Sequence, residues 1–142
     1  MRQRFDTTRR PGAGPGQLLL KMHAAALNRG EFIPGGLIKG KLGADLDIPA
    51  GADAAKSCAI SLLAQLKKAC GGDLSRVVRA VKLVGFVNST VDFVDQPKVI
   101  NGASDFLVAA LGDAGRHARS AVSAASLPLG VAVEIEGIFE IR

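Results

Sequence analysis

Tryptophan and tyrosine are absent from this 142-residue sequence, and its six phenylalanines lie singly along the chain. Proteins that bind single-stranded nucleic acid stack bases on aromatic side chains, so such a platform is not expected. Much of the net charge of +5 sits in the first ten residues, which hold Arg2, Arg4, Arg9 and Arg10 against Asp6. This cluster is typical of a solvated terminus rather than of a basic face on a folded body. Nucleic-acid binding is therefore not predicted.

Cysteine and histidine are also scarce, with two residues of each. Cys58 and Cys70 lie on one predicted helix about 18 Å apart, which is too far for a disulfide. Together with His23 and His117 they form no metal-ligand spacing, so we predict neither a metal nor a cofactor. The thiols are expected to be reduced, which is typical of a cytoplasmic protein.

Long apolar runs are missing as well. No stretch approaches the roughly 18 apolar residues of a membrane-spanning helix, so no membrane association is predicted. A segment rich in proline and glycine at 11–16 separates a flexible basic tail, 1–15, from a single domain, 16–142. The domain is expected to open with strands within 16–35, where Leu18, Leu19 and Leu20 are the most apolar residues.

Two segments show the three- and four-residue apolar spacing of amphipathic helices. The first is expected to begin after Asp53, a favoured N-cap residue, and to end at Gly71. The second is expected to be capped by Asp95, to carry Pro97 in its first turn and to end at Gly112. The apolar stripes are Ala55, Ala59, Leu62, Leu66 and Ala69 in the first helix and Val99, Ala103, Phe106 and Ala110 in the second.

Three further segments have strand patterns: 76–88, 117–126 and 131–141. The last alternates cleanly, with Glu134, Glu136 and Glu140 on the face opposite its apolar residues. In the first, one face carries Val77, Val81, Leu83 and Val87, and the other carries Val78, Ala80, Val84 and Phe86. A strand that is apolar on both faces is covered on both. We predict an α+β fold with a mixed sheet and both helices on one face, and a second subunit on the other.

Three motifs carry a resemblance to a known family. They are Gly115-Arg116-His117-Ala118-Arg119-Ser120-Ala121-Val122, Ser126-Leu127-Pro128 with Val133-Glu134-Ile135-Glu136, and Asp95-Gln96-Pro97-Lys98-Val99-Ile100-Asn101-Gly102-Ala103-Ser104. The segment 36–142 resembles the RidA family of reactive intermediate deaminases, also called the YjgF or L-PSP endoribonuclease family. The resemblance implies a chorismate-mutase-like fold, a homotrimer and a cleft at each subunit interface. It also implies hydrolysis of 2-imino acids, or their 2-aminoacrylate tautomers, to 2-oxo acids and ammonia.

The resemblance assigns roles to four positions. Arg119 matches the arginine that holds the substrate carboxylate, and a guanidinium fork suits that ligand. Glu134 matches the glutamate that positions the attacking water, and a carboxylate can accept a proton from it. Asn101 corresponds to a site-lining asparagine if the alignment is shifted by one residue. Ala121 stands where the family's archetype has a cysteine. His117 has no nucleophile beside it in the sequence and is interpreted as a surface or interface histidine.

Alternatives remain open for these residues. Glu134 could be a solvated acid on an exposed strand face, and Arg119 could pair with Glu134 or Glu136. The family's usual tyrosine and Ser-Gly pair are missing from the N-terminal part. Instead, 15–32 resembles the start of a medium-chain quinone oxidoreductase or alcohol dehydrogenase, but without the Rossmann domain that redox activity requires. We therefore expect an imine or enamine deaminase, with a non-catalytic metabolite- or protein-binding trimer second and an endoribonuclease third.

Overall fold

The computed structural model describes residues Asp6–Thr8, Leu18–Ala25 and 37–142. Seven main elements lie within these ranges, and they are listed here in chain order. The strands are β1 (Asp6–Thr8), β2 (Leu18–Ala25), β3 (Val77–Asn88), β4 (Ala118–Ala124) and β5 (Val133–Ile141), and the helices are α1 (Ile48–Ala69) and α2 (Gln96–Leu111). Short 3₁₀ turns occupy Leu74–Arg76, Gly112–Gly115 and Pro128–Gly130.

The strands form one mixed sheet in the order β1-β2-β5-β3-β4. Among the strand pairs within the described residues, β3–β4 alone is parallel, and the chain makes that crossover through α2. Helix α1 contacts β5, where the Cys58 thiol lies 3.7 Å from the Val133 carbonyl. Helix α2 lies on β3, where Ile100 fills the space beside Gly85. The predicted α+β fold with a mixed sheet and two helices is confirmed.

The two faces of the sheet differ in what covers them. On β5, Val133, Ile135, Phe139 and Ile141 are buried under the helices, while the alternate residues are half-buried. We call the side away from the helices the open face. The predicted alternation of β5 is confirmed, although its glutamates are half-buried rather than fully exposed. Because paired residues on neighbouring strands share a face, the register fixes which side every other residue occupies.

Helix α1 begins at Ile48, six residues before the predicted start, so Asp53 is not its N-cap. Asp47 fills that position, and its side chain accepts a hydrogen bond of 2.9 Å from the Ala50 amide. Pro49 and Gly51 in the first turns look like breakers in the sequence. Proline is tolerated there because its missing N–H has no partner in a first turn. Gly51 is buried where Leu42 and Val99 leave no room for a side chain.

Helix α2 begins and ends where the sequence predicts, but its cap differs. Asp95 occupies the N-cap position without a side-chain capping hydrogen bond. Its carboxylate instead lies 3.0 Å from the Lys98 ammonium group. The predicted side-chain cap is therefore wrong, although the predicted position is right.

Strand β3 departs from the expected division into two faces. Register shifts occur between Val77 and Arg79 and between Ala80 and Lys82. Each β-bulge inserts a residue and reverses the alternation, so Ala80 is buried while Val81 is not. From Leu83 onward the alternation is regular: Leu83 and Val87 are buried, and Val84 and Phe86 lie on the open face.

The strand that ends the chain begins two residues later than predicted. The 3₁₀ turn at Pro128–Gly130 contains Leu129 with a φ of 56°, and Val131 forms an isolated bridge to Lys39 before β5 starts.

Other N-terminal and composition-based predictions have mixed outcomes. Strand β2 confirms the strand predicted around Leu18. Strand β1 lies inside the segment predicted as a flexible tail and pairs with β2. The rest of the tail and most of the oxidoreductase-like segment lie outside the described residues. Cys58 and Cys70 are buried and are not joined in a disulfide. No helix in the described ranges is long and apolar enough to cross a membrane.

Candidate functional site

Arg119 lies on β4, the edge strand of the sheet, on the side of the helices. It is paired in register with Leu83, which is buried under the helices. The Arg119 Nη1 donates hydrogen bonds to Asn101 Oδ1 at 2.8 Å and to Ser104 Oγ at 3.1 Å. Asn101 and Ser104 are three residues apart on α2, so they share one helix face. Helix α2 thus holds the guanidinium through two neutral acceptors.

His117 immediately precedes β4 and completes this cluster. Its Nδ1 lies 2.6 Å from the Gly115 carbonyl oxygen, and its Nε2 lies 3.0 Å from Ser104 Oγ. A carbonyl only accepts hydrogen bonds, so Nδ1 carries a proton. In the neutral ring Nε2 therefore accepts from the Ser104 hydroxyl. The expectation that His117 has no nucleophile beside it is wrong, because the fold brings Ser104 against it.

A surface pocket of about 260 Å³ lies at this cluster and is lined by Ser104, Val108, Arg116, His117 and Arg119. Its lining combines two guanidinium groups, an imidazole and a hydroxyl, and is suited to an anionic ligand. A larger depression of about 490 Å³ lies near the start of α1, but its lining is limited to Ala44, Asp45, Leu46, Asp47 and Ala50. That lining contains no cation, so we place the candidate site at Arg119.

Glu134 is not brought to this pocket within one chain. It pairs with Phe86 in register and therefore lies on the open face, whereas Arg119 lies on the helix side. From the register, the two residues are also separated by about 10 Å along the strands and about 10 Å across them. Among the described residues no hydrogen-bonding or ionic partner is found for the Glu134 carboxylate.

Ala121 lies two residues after Arg119 on the same side of β4 and packs against the core. It brings no polar group to the pocket. As for a metal centre, the described ranges contain no group of three or more histidine, cysteine, aspartate or glutamate side chains that could hold an ion.

Comparison with known proteins identifies the family. The family model described as YjgF/chorismate mutase-like, putative endoribonuclease, matches residues 22–138. The chain belongs to this family. Protein TCP17 of Trypanosoma cruzi is 47% identical to it over 109 residues, which is 76% of this chain and 68% of that protein. The resemblance predicted from the C-terminal motifs is thereby confirmed, and with it the chorismate-mutase-like character of the fold.

Two solved structures are similar over most of the chain. The Agrobacterium tumefaciens protein Atu1372, of unknown function, superposes with a TM-score of 0.80 at 44% identity and covers 87% of this chain and 76% of that one. A putative endoribonuclease from Shewanella oneidensis MR-1 superposes with a TM-score of 0.78 at 29% identity and covers 97% and 85%. These similarities support the fold.

Sequence reasoning identified part of the pocket. The resemblance named Asn101 and Arg119, and the structure brings them together. Ser104, Val108 and Arg116 were given no role, although Ser104 and Arg116 lie within the motifs that carry the resemblance. A signal was present for Ser104, because it follows Asn101 by one helical turn and so shares its face.

Proposed function

We propose that this protein hydrolyses 2-imino acids, or their 2-aminoacrylate tautomers, to 2-oxo acids and ammonia, in the manner of Rid-type deaminases. The observation that carries the proposal is the state of Arg119. Its guanidinium is fixed by an amide and a hydroxyl, and none of the described residues gives it a carboxylate partner. A positive charge held by neutral groups at a pocket is suited to a substrate carboxylate.

The size of the pocket supports a small substrate. About 260 Å³ is below the range of sites that hold drug-sized ligands, but it gives room for a short 2-imino acid. The carboxylate would lie on Arg119, which places the C=N carbon within the pocket. No cofactor is required, because the reaction is an addition of water followed by loss of ammonia.

In a homotrimer with sites between chains, a neighbouring chain would supply the group that orients the attacking water. Glu134 lies on the open face, which also carries the apolar side chains of Phe86 and Val122. If neighbouring chains cover this face, the Glu134 of one chain approaches the Arg119 of another and orients the attacking water. We propose that the protein is a cytoplasmic homotrimer whose cysteine thiols are reduced.

Mixed trimers test this arrangement. Arg119→Ala and Glu134→Ala should each abolish deamination of imines generated from leucine or 2-aminobutyrate by an amino-acid oxidase. When both variants are co-expressed in equal amounts, about a quarter of the interfaces combine an intact Arg119 with an intact Glu134. Recovery of roughly that share of wild-type activity is expected. No recovery would exclude a site shared by these two residues across chains.

RNA cleavage is the competing function, and one observation favours it. The pocket places His117 beside Arg116 and Arg119, a set that could also bind a phosphodiester. Incubation of RNA with the wild type and with Arg119→Ala, at two salt concentrations, distinguishes the functions. Cleavage that depends on Arg119 while imines are left untouched would replace the deaminase proposal. Binding of carboxylates without any turnover would instead indicate a metabolite-binding trimer.

A further inference from the structure

Ser104 and His117 form a hydrogen-bonded pair at the Arg119 pocket, and the assignment of Arg119 and Glu134 leaves this pair without a role. The Ser104 Oγ lies 3.0 Å from His117 Nε2 and accepts from Arg119 Nη1 at 3.1 Å. Distances of about 2.6–3.2 Å are those at which a positioned base takes a proton. All three side chains line one pocket.

A hydrogen bond to the Gly115 carbonyl fixes the orientation of the His117 imidazole. The Gly115 carbonyl accepts the Nδ1 proton at 2.6 Å, which leaves Nε2 as the basic nitrogen facing Ser104. Gly115 is itself buried, and a side chain there would meet the carbonyl carbon of Leu107 at 2.7 Å. The turn that carries this carbonyl is thus packed against the end of α2. The Gly115 carbonyl, the His117 imidazole and the Ser104 hydroxyl therefore form a chain of hydrogen bonds, which is the arrangement that proton transfer requires.

The Ser104–His117 pair differs from Glu134 in its distance from a ligand bound at Arg119. A carboxylate bound to Arg119 would lie close to Ser104 of the same chain, because one guanidinium nitrogen contacts the Ser104 hydroxyl. Glu134 of that chain lies on the other side of the sheet and would have to come from a neighbour. Ser104 therefore places a hydroxyl beside a ligand held by Arg119 of the same chain.

We infer that His117, acting through the Ser104 hydroxyl, transfers protons from the attacking water to the departing nitrogen. This inference rests on the proposed deamination and assigns its acid–base chemistry to one chain. The Glu134 of a neighbour then orients the water without taking its proton.

Ser104 and His117 together account for the protons that move in the addition of water. The water oxygen bonds to the C=N carbon, and the π electron pair moves to nitrogen. Meanwhile the water proton passes to Ser104 Oγ and the Ser104 proton passes to His117 Nε2. The His117 proton then returns through Ser104 to the nitrogen, which gives a 2-amino-2-hydroxy acid. A second transfer carries the hydroxyl proton to nitrogen as C=O forms, and ammonia leaves with the C–N electron pair.

The first test uses variants of the pair. His117→Gln and Ser104→Ala should each lower kcat roughly 100- to 10,000-fold, the usual contribution of general acid–base catalysis, with little change in KM. Ser104→Thr keeps a hydroxyl and should retain most of the turnover. A fall in kcat without a rise in KM in Ser104→Ala separates proton transfer from a role in holding Arg119 for substrate binding. Ser57→Ala is the matched control, because it removes a hydroxyl that bonds to the Asp53 carbonyl on α1, outside the pocket.

Each outcome decides a different point. If the wild type is active and both His117→Gln and Ser104→Ala stay within about threefold of it, a proton-transfer role is excluded while deamination stands. If the wild type hydrolyses no imino acid, the function and the inference fall together. If His117→Gln does not fold by circular dichroism, the contrast between Ser104→Ala and Ser104→Thr decides the matter.

Mixed trimers test the assignment to one chain. His117→Gln co-expressed with Glu134→Ala should recover about a quarter of the wild-type activity, because complete sites form between the two chains. His117→Gln co-expressed with Arg119→Ala should recover none, since no chain then holds both residues. Recovery in the second mixture would overturn the assignment.

Discussion

At the scale of single residues, the partners of Arg119 govern the chemistry available to the pocket. Asn101 and Ser104 accept its hydrogen bonds without neutralising it. By contrast, Arg79 and Arg116 lie against the carboxylates of Glu140 and Asp113 at 2.8 and 3.1 Å. Of the two arginines that line the pocket, Arg119 is therefore the one from which a substrate carboxylate displaces no acidic side chain.

Arg119→Lys should impair deamination although the charge is kept. Lysine provides a point charge instead of a two-pronged fork, so the carboxylate is held in many orientations. Loss of one charge-assisted hydrogen bond, worth about 1.5–3 kcal/mol, corresponds to a fall in kcat/KM of roughly 10- to 100-fold. Imine decay after oxidase treatment of leucine measures the effect, and Arg79→Lys on β3 is the control. Unchanged kcat/KM in Arg119→Lys would mean that the substrate is bound elsewhere.

The thiol of Cys70 should be unreactive in the native protein. Burial raises the pKa of this thiol, and the nearby Arg76 offsets part of the rise. Because the thiolate is the reactive form, a raised pKa lowers its population near neutral pH. Ellman's reagent should therefore modify Cys70 slowly in buffer and rapidly in guanidinium chloride. Cys58→Ser isolates the Cys70 signal, and fast labelling of that variant while folded would contradict the prediction.

At the scale of elements, the apolar periodicity of the sequence predicted the type of each element better than the residue at which it begins. The apolar spacing of α2 and the alternation of β5 follow from burying one face, so both are visible in the sequence. The start of α1 is not, because Pro49 and Gly51 are permitted there only by the first turn and by tight packing against Val99. The bulges of β3 depend on pairing with β5, and a single strand's sequence carries no sign of them.

The candidate site was predictable to the extent that a resemblance named its residues. Asn101 and Arg119 were found in this way, and their contact is a consequence of the β3–α2–β4 crossover. The Ser104–His117 pair was missed because the two residues are thirteen positions apart on different elements. Their contact depends on how the turn at Gly112–Gly115 returns the chain, which spacing alone does not indicate.

The close contact between α1 and α2 makes Gly102 a sensitive position. A side chain there would point at the Ala52 carbonyl, with its Cβ 2.1 Å from the oxygen. Alanine normally stabilises a helix by about 1 kcal/mol relative to glycine, but overpacking costs about 1–3 kcal/mol and here forces backbone apart. Gly102→Ala should therefore lower the urea midpoint at fixed chain concentration. The exposed Ala109→Ser on α2 should leave it nearly unchanged, and a raised midpoint in Gly102→Ala would show that the helices separate freely.

At the scale of the whole molecule, the open face of the sheet carries apolar side chains that the two helices do not cover. Its exposed or half-buried apolar residues are Val84, Phe86, Val122 and Ile138, with Glu134 and Glu136 among them. Contiguous apolar surface of this kind marks an interaction site. The strand pattern of β3 and the family resemblance predict that two further copies of this chain cover it.

Val122→Glu should disrupt the predicted trimer. Val122 lies on the open face in register with Phe86 and is 43% exposed in the single chain. A carboxylate buried there in an interface would lose its hydration without gaining a cation, and Glu134 nearby would add repulsion. Light scattering on a size-exclusion peak should show a trimer for the wild type and smaller species for Val122→Glu. The matched control is Ile60→Glu on α1, where a residue that is 45% exposed lies on a helix rather than on the open face. A wild-type monomer would exclude any site shared between chains. An unchanged trimer in Val122→Glu with dissociation in Ile60→Glu would place the subunit contact elsewhere and remove Glu134 from the shared site.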